Sequence, residues 1–217
     1  MTFLITAGPT REPIDPVRYL TNRSSGKMGY ALAQTAAEQG YRVILVSGPT
    51  QLDVPDRVDY IPVGSAKDMY DAVEHHIKKA DIAIFAAAVA DYRPAIVPEH
   101  KIKKTGERMT LDLVKNPDIL ASARSTFKYE GVLIGFAAET ENVEQNAREK
   151  LMRKGCNLVV ANDVSRNDIG FDVSENEILL VSADTTEAPP KNSKEHLAHV
   201  IVEWALSLAA VRDKDKL

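Results

Sequence analysis

The segment between the first predicted strand and the first predicted helix is the feature that most limits how this chain can fold. Residues 1–6 are apolar and rich in β-branched side chains, which favours a central strand, and a helical pattern begins at Lys27. The connection between them, from Gly8 to about Ser25, is about three times as long as the 2–6 residues usual in α/β proteins. Because ordered loops of this length usually carry function, we expect a ligand site here.

The end of this segment has the chemistry of an anion-binding site. Ser24, Ser25 and Gly26 stand directly before the helix. Free backbone N–H groups at the helix start, the helix dipole and the two hydroxyls would together hold a phosphate. The alternative is that Ser24 or Ser25 only caps the helix. Gly26 and Gly29 form a G-x-x-G pair, but no glycines have the spacing of the common dinucleotide-binding motif or of a P-loop.

Composition and charge limit the class of protein. The chain has 217 residues, enough for one substantial α/β domain, so we expect a single domain over residues 1–217. Its net charge of −4 argues against a wide surface for nucleic acids or anionic membranes. Cys156 is the only cysteine, and no apolar run approaches the ~18 residues of a membrane-spanning helix. With no signal-peptide pattern, we expect a cytoplasmic protein without nucleic-acid or membrane partners.

Apolar runs and amphipathic segments alternate along the chain. The runs at residues 42–47, 58–63, 81–89, 131–137 and 156–161 predict buried strands, and helical patterns cover residues 66–79, 141–154 and 193–211. Apolar strands separated by helices are typical of parallel sheets. The sequence therefore predicts an α/β fold, with a doubly wound, mostly parallel Rossmann-like sheet, helices on both faces and ligands at the carboxyl ends of the strands.

Small, acidic and aromatic residues mark two of those strand ends. Ala86, Ala87 and Ala88 end one apolar run, where small side chains leave room for a flat ligand. Asp91 follows them and could hold a metal ion or a ligand hydroxyl, or could cap a turn. Phe136, near the end of a later strand, could stack on a base or fill the core.

Residues 93–113 interrupt the alternation and indicate a mobile insertion, which we call the flap. It contains the lysine cluster Lys101, Lys103 and Lys104. Such a cluster is either a solvated surface or a cover for a bound phosphate.

The second half of the chain adds further candidates. Asn116 is predicted to cap a helix whose first residue is Pro117. Lys150 and Lys154 lie one turn apart on a predicted helix face, where they suit either a polyphosphate or water. Residues 170–182 contain an extended pair that could form a sheet edge or pair with another subunit.

Six segments, in order, resemble one known family. They are TAGPTREPIDPVRYLTNRSSGKMG, AAAVADYRP, KIKK, LVKNPDIL, GFAAET and KGCNLVVANDVS. These resemble segments of phosphopantothenoylcysteine synthetase, also called phosphopantothenate-cysteine ligase, from about residue 6 to residue 180. Many bacteria fuse this domain behind a flavin-dependent decarboxylase. Because Met1 leads straight into the first strand, we expect the stand-alone form, with the decarboxylase as a separate partner in the pathway.

The resemblance implies a ligase of coenzyme A biosynthesis that acts in two steps. CTP would activate the carboxylate of 4'-phosphopantothenate as an acyl-cytidylate, and L-cysteine would then displace CMP. Mg²⁺ would accompany the triphosphate, and the enzyme would be a homodimer. By resemblance, Asn22 and Lys101 match catalytic positions, and Asn22, Ala88 and Asp91 would bind substrate. By resemblance, the nucleotide would contact Ala86, Ala87, Asp91, Lys101, Asn116, Pro117, Asp118, Ile119, Phe136, Lys150 and Lys154. We also expect the nucleotide to contact Gly8 and the anion site predicted at Ser24, Ser25 and Gly26.

Two other classes of function are weighed against this one. A nicotinamide-dependent dehydrogenase would share the sheet topology, but no tyrosine has a lysine four residues later and the glycine-rich turn is missing. A non-catalytic nucleotide-binding or RNA-binding module would explain the lysine cluster, but the acidic balance and the lack of interleaved aromatic residues count against it.

Overall fold

The computed structural model describes residues 1–104, 106–163 and 175–214. Its strands are β1 (Thr2–Ala7), β2 (Arg11–Asp15), β3 (Arg18–Thr21), β4 (Arg42–Ser47), β5 (Val58–Pro62), β6 (Ile82–Phe85), β7 (Tyr92–Pro94), β8 (Leu113–Lys115), β9 (Val132–Glu139), β10 (Leu158–Asp163), β11 (Glu175–Asn176), β12 (Ile178–Val181), β13 (Thr186–Glu187) and β14 (Asn192–Ser193). Its α-helices are α1 (Lys27–Glu38), α2 (Ala66–His76), α3 (Ile119–Ser125), α4 (Val143–Lys154) and α5 (Lys194–Lys214).

A mostly parallel sheet of eight strands runs through the described residues, in the order β13-β12-β10-β9-β6-β1-β4-β5. At one edge, β12 pairs antiparallel with β10 and β13 pairs antiparallel with β12. The other six strands are parallel to one another. Helices α1 and α5 pack on one face, and α2, α3 and α4 pack on the other. Side chains alternate between these two cores, so that Phe3 and Ile5 face one and Leu4 faces the other. The predicted fold class is therefore confirmed.

The strand order reverses at β1, which lies between β4 and β6. Open α/β sheets bind ligands outside the carboxyl ends of the strands at this point. Strand β6 ends at Phe85, earlier than the run over residues 81–89 predicted. The following backbone is held by the loop after β1, because Ala88 donates its N–H to the carbonyl oxygen of Gly8 at 2.9 Å.

The long connection before α1 is folded rather than open. Strands β2 and β3 pair antiparallel and form a ribbon, which the sequence analysis had predicted as a loop. Strands β7 and β8 form a second ribbon, also not predicted, from which the flap extends. The β2–β3 ribbon contacts β7, so the connection and the base of the flap support each other.

The predicted start of the third helix was wrong. Helix α3 begins at Ile119, and Asp118 caps it by accepting the N–H of Ala121 at 2.9 Å. Asn116 is two residues too early to act as the cap, and Pro117 lies outside the helix.

The extended pair predicted over residues 170–182 is only partly described, because residues 170–174 lie outside the described ranges. Strand β12 is flanked by β10 and β13 of the same chain. Its part in a dimer stays a prediction. No helix in the described ranges is both long enough and apolar enough to cross a membrane.

Gly29 allows helix α1 to pack directly on the end of β1. A Cβ placed on this residue would lie 2.5 Å from the Cβ and 3.0 Å from the Cα of Ala7, closer than real side chains approach. Any side chain at position 29 must therefore push the helix away from the sheet.

We expect Gly29→Ala to destabilise the protein even though alanine is the better helix former. Alanine gains about 1 kcal/mol in a helix interior, but overpacking costs about 1–3 kcal/mol. A net loss of about 1 kcal/mol lowers the midpoint of thermal unfolding by about 2–4 °C in a chain of this size. Circular dichroism can measure this shift, with Gly106→Ala as the control because its added Cβ meets nothing within 4 Å. An unchanged or higher midpoint for Gly29→Ala would contradict the packing argument.

Candidate functional site

A cleft of about 680 Å³, which we call the main cleft, opens at the carboxyl ends of β6 and β9. Small-molecule sites usually measure about 300–1,000 Å³. The predicted site residues that line it are Ala87, Asp91, Asn116, Pro117, Asp118, Ile119, Phe136, Lys150 and Lys154. These residues come from segments far apart in the sequence, and the sheet brings them together.

Asn116 holds one wall of the main cleft. Its Nδ2 donates to the carbonyl oxygen of Ala90 at 2.9 Å, and its Oδ1 accepts from the guanidinium of Arg93 at 3.1 Å. Its main-chain N–H donates to the carbonyl oxygen of Asp91 at 2.8 Å. The side-chain amide thus joins the segment that follows β6 and strand β7 to the residues just before α3, which explains its position better than the predicted helix cap.

Helix α4 supplies positive charge to the main cleft. Lys150 donates from Nζ to the carbonyl oxygen of Phe136 at 2.6 Å, and its burial lowers the pKa of this amine. Lys154 forms an ion pair with Asp118. Arg153 also lines the cleft and was missed by the sequence analysis, although its spacing of three residues from Lys150 could have identified it.

Asp118 controls the charge of this wall. One carboxylate oxygen caps α3 and the other faces Lys154. Burial acts to raise the pKa of Asp118, but the hydrogen bonds from Lys154 and from the N–H of Ala121 outweigh it, so this pKa lies below its usual value. Asp118 is therefore ionised at neutral pH, and an anionic ligand would compete with it for Lys154.

A smaller recess of about 140 Å³ lies beside the main cleft, and Ala87 and Phe136 line both cavities. The first turn of α1 forms one side of it. The predicted site residues that line this recess are Ser24, Ser25, Gly26, Ala86, Ala87, Ala88 and Phe136. The N-cap of α1 is Gly26, in a left-handed conformation with φ of 80°, so the interpretation of a serine as the N-cap was wrong.

Two asparagines that the sequence analysis missed also line the smaller recess. The Oδ1 atoms of Asn162 and Asn176 are buried and have no hydrogen-bond partner in the described part of the chain. An unpaired buried polar atom costs about 1–3 kcal/mol, so these two oxygens indicate a ligand that donates hydrogen bonds. The position of Asn162 near the end of β10 could have identified it. Asn176 reaches the recess through the β11–β14 pairing, which no local pattern predicts.

The remaining predicted residues line neither cavity. Asn22 donates from Nδ2 to the carbonyl oxygen of Ala88 at 3.0 Å, and the carbonyl oxygen of Gly8 accepts the N–H of Ala88. Because Ala88 lines the smaller recess, these two bonds hold Asn22 and Gly8 at the edge of that recess. Lys101 is exposed in the flap, next to Ile102, whose main chain is bonded to the β2–β3 ribbon.

Known proteins resemble this chain in both sequence and structure. It matches the family described as the DNA/pantothenate metabolism flavoprotein C-terminal domain over residues 1–208. It is 52% identical over 209 residues to the coenzyme A biosynthesis bifunctional protein CoaBC of Vibrio vulnificus (strain CMCP6), covering 95% of this chain and 52% of that protein. The crystal structure of the C-terminal domain of a protein of the same name has a TM-score of 0.82 at 42% identity, covering 98% of this chain and 96% of that one.

A more distant structure, a Cab2 mutant in complex with phosphopantothenate-cysteine, shares the fold. Its TM-score is 0.77 at 18% identity, covering 100% of this chain and 89% of that one.

A mostly parallel sheet with polar cavities at the point where the strand order reverses defines a Rossmann-like α/β ligand-binding protein. The sequence match is more specific. The chain belongs to the DNA/pantothenate metabolism flavoprotein C-terminal domain family, which confirms the resemblance identified from six segments. The chain spans about half the length of the curated relatives it matches, for example 52% of the Vibrio vulnificus protein.

Lys150 leads to a prediction about the pH dependence of anion binding. Burial lowers its pKa, whereas a bound anion stabilises the charged amine and raises the pKa again. At a pH between these two pKa values, Lys150 therefore takes up a proton when the anion binds. The affinity for the anion falls as the pH rises through that interval. Lys150→Met should bind inorganic triphosphate about tenfold more weakly near neutral pH, a loss of about 1.4 kcal/mol, and should lose this alkaline weakening.

Isothermal titration calorimetry at several pH values measures both effects. Protonation of triphosphate itself also changes its affinity with pH, but this effect is the same for every variant and cancels when the variants are compared. Lys115→Met is the matched control, because Lys115 is an exposed lysine that lines the same cleft. The same pH dependence in the wild type and in Lys150→Met would contradict the assignment.

Proposed function

We propose that this chain joins 4'-phosphopantothenate to L-cysteine at the expense of CTP, in coenzyme A biosynthesis. The observation that carries this proposal is the wall of Ala87 and Phe136 that the two cavities share. One cavity offers cations to a polyphosphate, and the other offers a helix N-terminus and two amide oxygens that no described residue pairs. Two anionic substrates bound in them would have their reacting ends at this wall. The names of the relatives, which place those proteins in coenzyme A biosynthesis, support the proposal.

The nucleotide is assigned to the main cleft. Lys150, Arg153 and Lys154 would bind the phosphates, for which charged donors are roughly twice as strong as neutral ones. The base would lie against Ala87 and Phe136. Because these side chains are small or apolar, the base would be recognised largely by main-chain groups at the strand ends.

Mg²⁺ would accompany the triphosphate. This ion usually binds through one or two carboxylates together with substrate phosphates. Asp91 is exposed and lines the main cleft, which suits that arrangement. Within the described ranges, no group of three or more His, Cys, Asp or Glu side chains could hold a metal ion.

The phosphate end of 4'-phosphopantothenate is assigned to the smaller recess, so that Ser24, Ser25 and Gly26, which were predicted to contact the nucleotide, are proposed to contact this substrate instead. The N–H groups of the first turn of α1 and the positive end of its dipole suit a phosphate. 4'-Phosphopantothenate carries one hydroxyl, on its pantoate part, and one amide N–H, on its β-alanine part. These two donors match the Oδ1 atoms of Asn162 and Asn176, which have no partner among the residues that the structure describes.

The first step joins two anions, so it needs positive charge. A carboxylate oxygen of 4'-phosphopantothenate attacks the α-phosphorus of CTP, and pyrophosphate leaves. Lys101 would stabilise the charge that gathers on the α-phosphate. Asn22 is a neutral donor beside Ala88, and it would bind the acyl carbonyl without competing as a nucleophile.

The second step transfers the acyl group. The amine of cysteine attacks the activated carbonyl, CMP leaves, and the nitrogen loses a proton. The closed flap would exclude water from the acyl-cytidylate until cysteine arrives. A flavin-dependent decarboxylase would then consume the product.

We also propose a homodimer, formed through exposed apolar side chains on the two ribbons and the flap. Val17, Tyr19, Ile96, Val97 and Leu113 are between 42% and 82% exposed. Apolar clusters of this kind commonly mark protein interfaces. A monomer's sedimentation coefficient at micromolar concentration would contradict the dimer.

Pyrophosphate release and mass spectrometry of the product test the proposed function directly. We expect release to require CTP and 4'-phosphopantothenate, and product formation to require L-cysteine as well. CTP should react faster than ATP at subsaturating concentrations, because the groups that recognise the base lie on fixed strand ends. Equal rates would contradict the choice of CTP. No release with any combination of these substrates would contradict the proposed ligase.

Lys101→Gln should lower kcat about 10²–10³-fold. The change removes one charge from the reacting phosphate, and single donors of this kind contribute about 2.7–4 kcal/mol to transition-state stabilisation. Lys104→Gln changes another exposed lysine of the flap and should leave kcat almost unchanged. Normal turnover by Lys101→Gln would assign the catalytic charge to α4 instead.

A further inference from the structure

A buried carboxylate in the β2–β3 ribbon holds the main chain of the flap. Oδ2 of Asp15 accepts the N–H of Ile102 at 3.1 Å, and the guanidinium of Arg18 donates to the carbonyl oxygen of Ile102 at 3.2 Å. The same guanidinium donates twice to Oδ2 of Asp15. Both polar groups of one flap residue are thus bound by a single Asp–Arg pair.

The pair is well suited to hold this contact. The side chain of Asp15 is fully buried, whereas that of Arg18 is 42% exposed. Oδ1 of Asp15 accepts the N–H groups of Val17 and Arg18, which fixes the carboxylate within its own turn. The hydrogen bond from Arg18 is the main cause of the strongly lowered pKa of Asp15, so the carboxylate stays ionised.

Ile102 anchors the part of the flap that lies beyond the β7–β8 ribbon. Among the described residues from 96 to 111, it alone forms hydrogen bonds with parts of the chain outside the flap. It directly follows Lys101, and consecutive Cα atoms are about 3.8 Å apart. The anchor therefore determines where the side chain of Lys101 begins.

We propose that Asp15 is a positioning residue, and that the Asp15–Arg18 pair is a latch that fixes the flap at Ile102 and thereby places Lys101 for its reaction. The part that concerns Lys101 rests on the proposed function. The part that concerns the flap rests on the hydrogen bonds alone. Because a displacement of about 1 Å can lower a rate about 10²-fold, an anchor next to a catalytic lysine can control kcat.

The variant Asp15→Asn removes the bonds to Ile102 but can keep the bonds within the turn at residues 15–18. The asparagine oxygen can keep both bonds to the N–H groups of Val17 and Arg18. Its NH₂ group then faces the guanidinium and the N–H of Ile102, which are all donors, so the latch is lost. The variant should remain folded, and trypsin should cleave after Lys101, Lys103 and Lys104 at least several times faster than in the wild type.

The kinetic effect should act through Lys101. We expect Asp15→Asn to lower kcat about 10- to 100-fold with little change in the KM for CTP. The double variant Asp15→Asn/Lys101→Gln should be no slower than Lys101→Gln alone, because a displaced lysine and a missing one have the same consequence. A merely structural role would instead make the two losses multiply.

Asp59→Asn is the matched control. Arg42 donates to Asp59 through the same two guanidinium nitrogens, but this pair is exposed and lies on β4 and β5. Its loss should change neither cleavage nor kcat. If Asp15→Asn fails to fold, Arg18→Lys tests the same latch, because an ammonium keeps the charge but cannot bridge Asp15 and Ile102 as a guanidinium does.

Unchanged tryptic cleavage in the latch variant overturns the proposal, whether or not the protein is a ligase. Faster cleavage with multiplying kinetic losses overturns the positioning of Lys101. A wild-type protein without ligase activity overturns the proposed function, and the cleavage comparison then still decides whether the pair anchors the flap.

Discussion

The close packing of helix α1 on the end of strand β1 is the constraint on which the rest of the site depends. Gly29 lies against Ala7, and Gly26 lies against Gly8 at the same strand end. This approach brings the N-terminus of the helix, with its free N–H groups and the positive end of its dipole, to the carboxyl edge of the sheet. This close approach leaves no room between β1 and α1 for the residues that connect them. Those residues lie outside the contact and include the β2–β3 ribbon.

The two cavities at this edge differ in the groups that they offer to a ligand. In the main cleft, Lys150 is bonded to a carbonyl oxygen and Lys154 to a carboxylate, which avoids the cost of buried, unpaired cations. Phosphate oxygens are acceptors and can replace both partners. In the smaller recess, the Oδ1 atoms of Asn162 and Asn176 are acceptors to which no described residue donates. The main cleft therefore suits a polyanion, and the recess suits a ligand that has a phosphate for the helix N-terminus and hydrogen-bond donors for the two asparagines.

The ribbons connect the flap to the sheet. Burying the charge of Asp15 is tolerated because five N–H donors surround it, four from residues 17 and 18 of its own turn and one from Ile102. The segment that looks like one long loop in the sequence thus supports a second segment far along the chain. A charge that could have been a solvated surface group instead links the two.

The sequence by itself determined the alternation of strands and helices, because apolar periodicity is a local property. It also determined that Ala87, Asp91 and Phe136 share a site, since the carboxyl ends of parallel strands meet at one edge of a sheet. Only the tertiary structure decided that Asn116 holds the segment between β6 and β7 rather than caps a helix, because its partner Ala90 is 26 residues away. The same holds for the contact of Asp15 with the flap across 87 residues. Such contacts depend on how complete elements pack, and no pattern within one element contains that information.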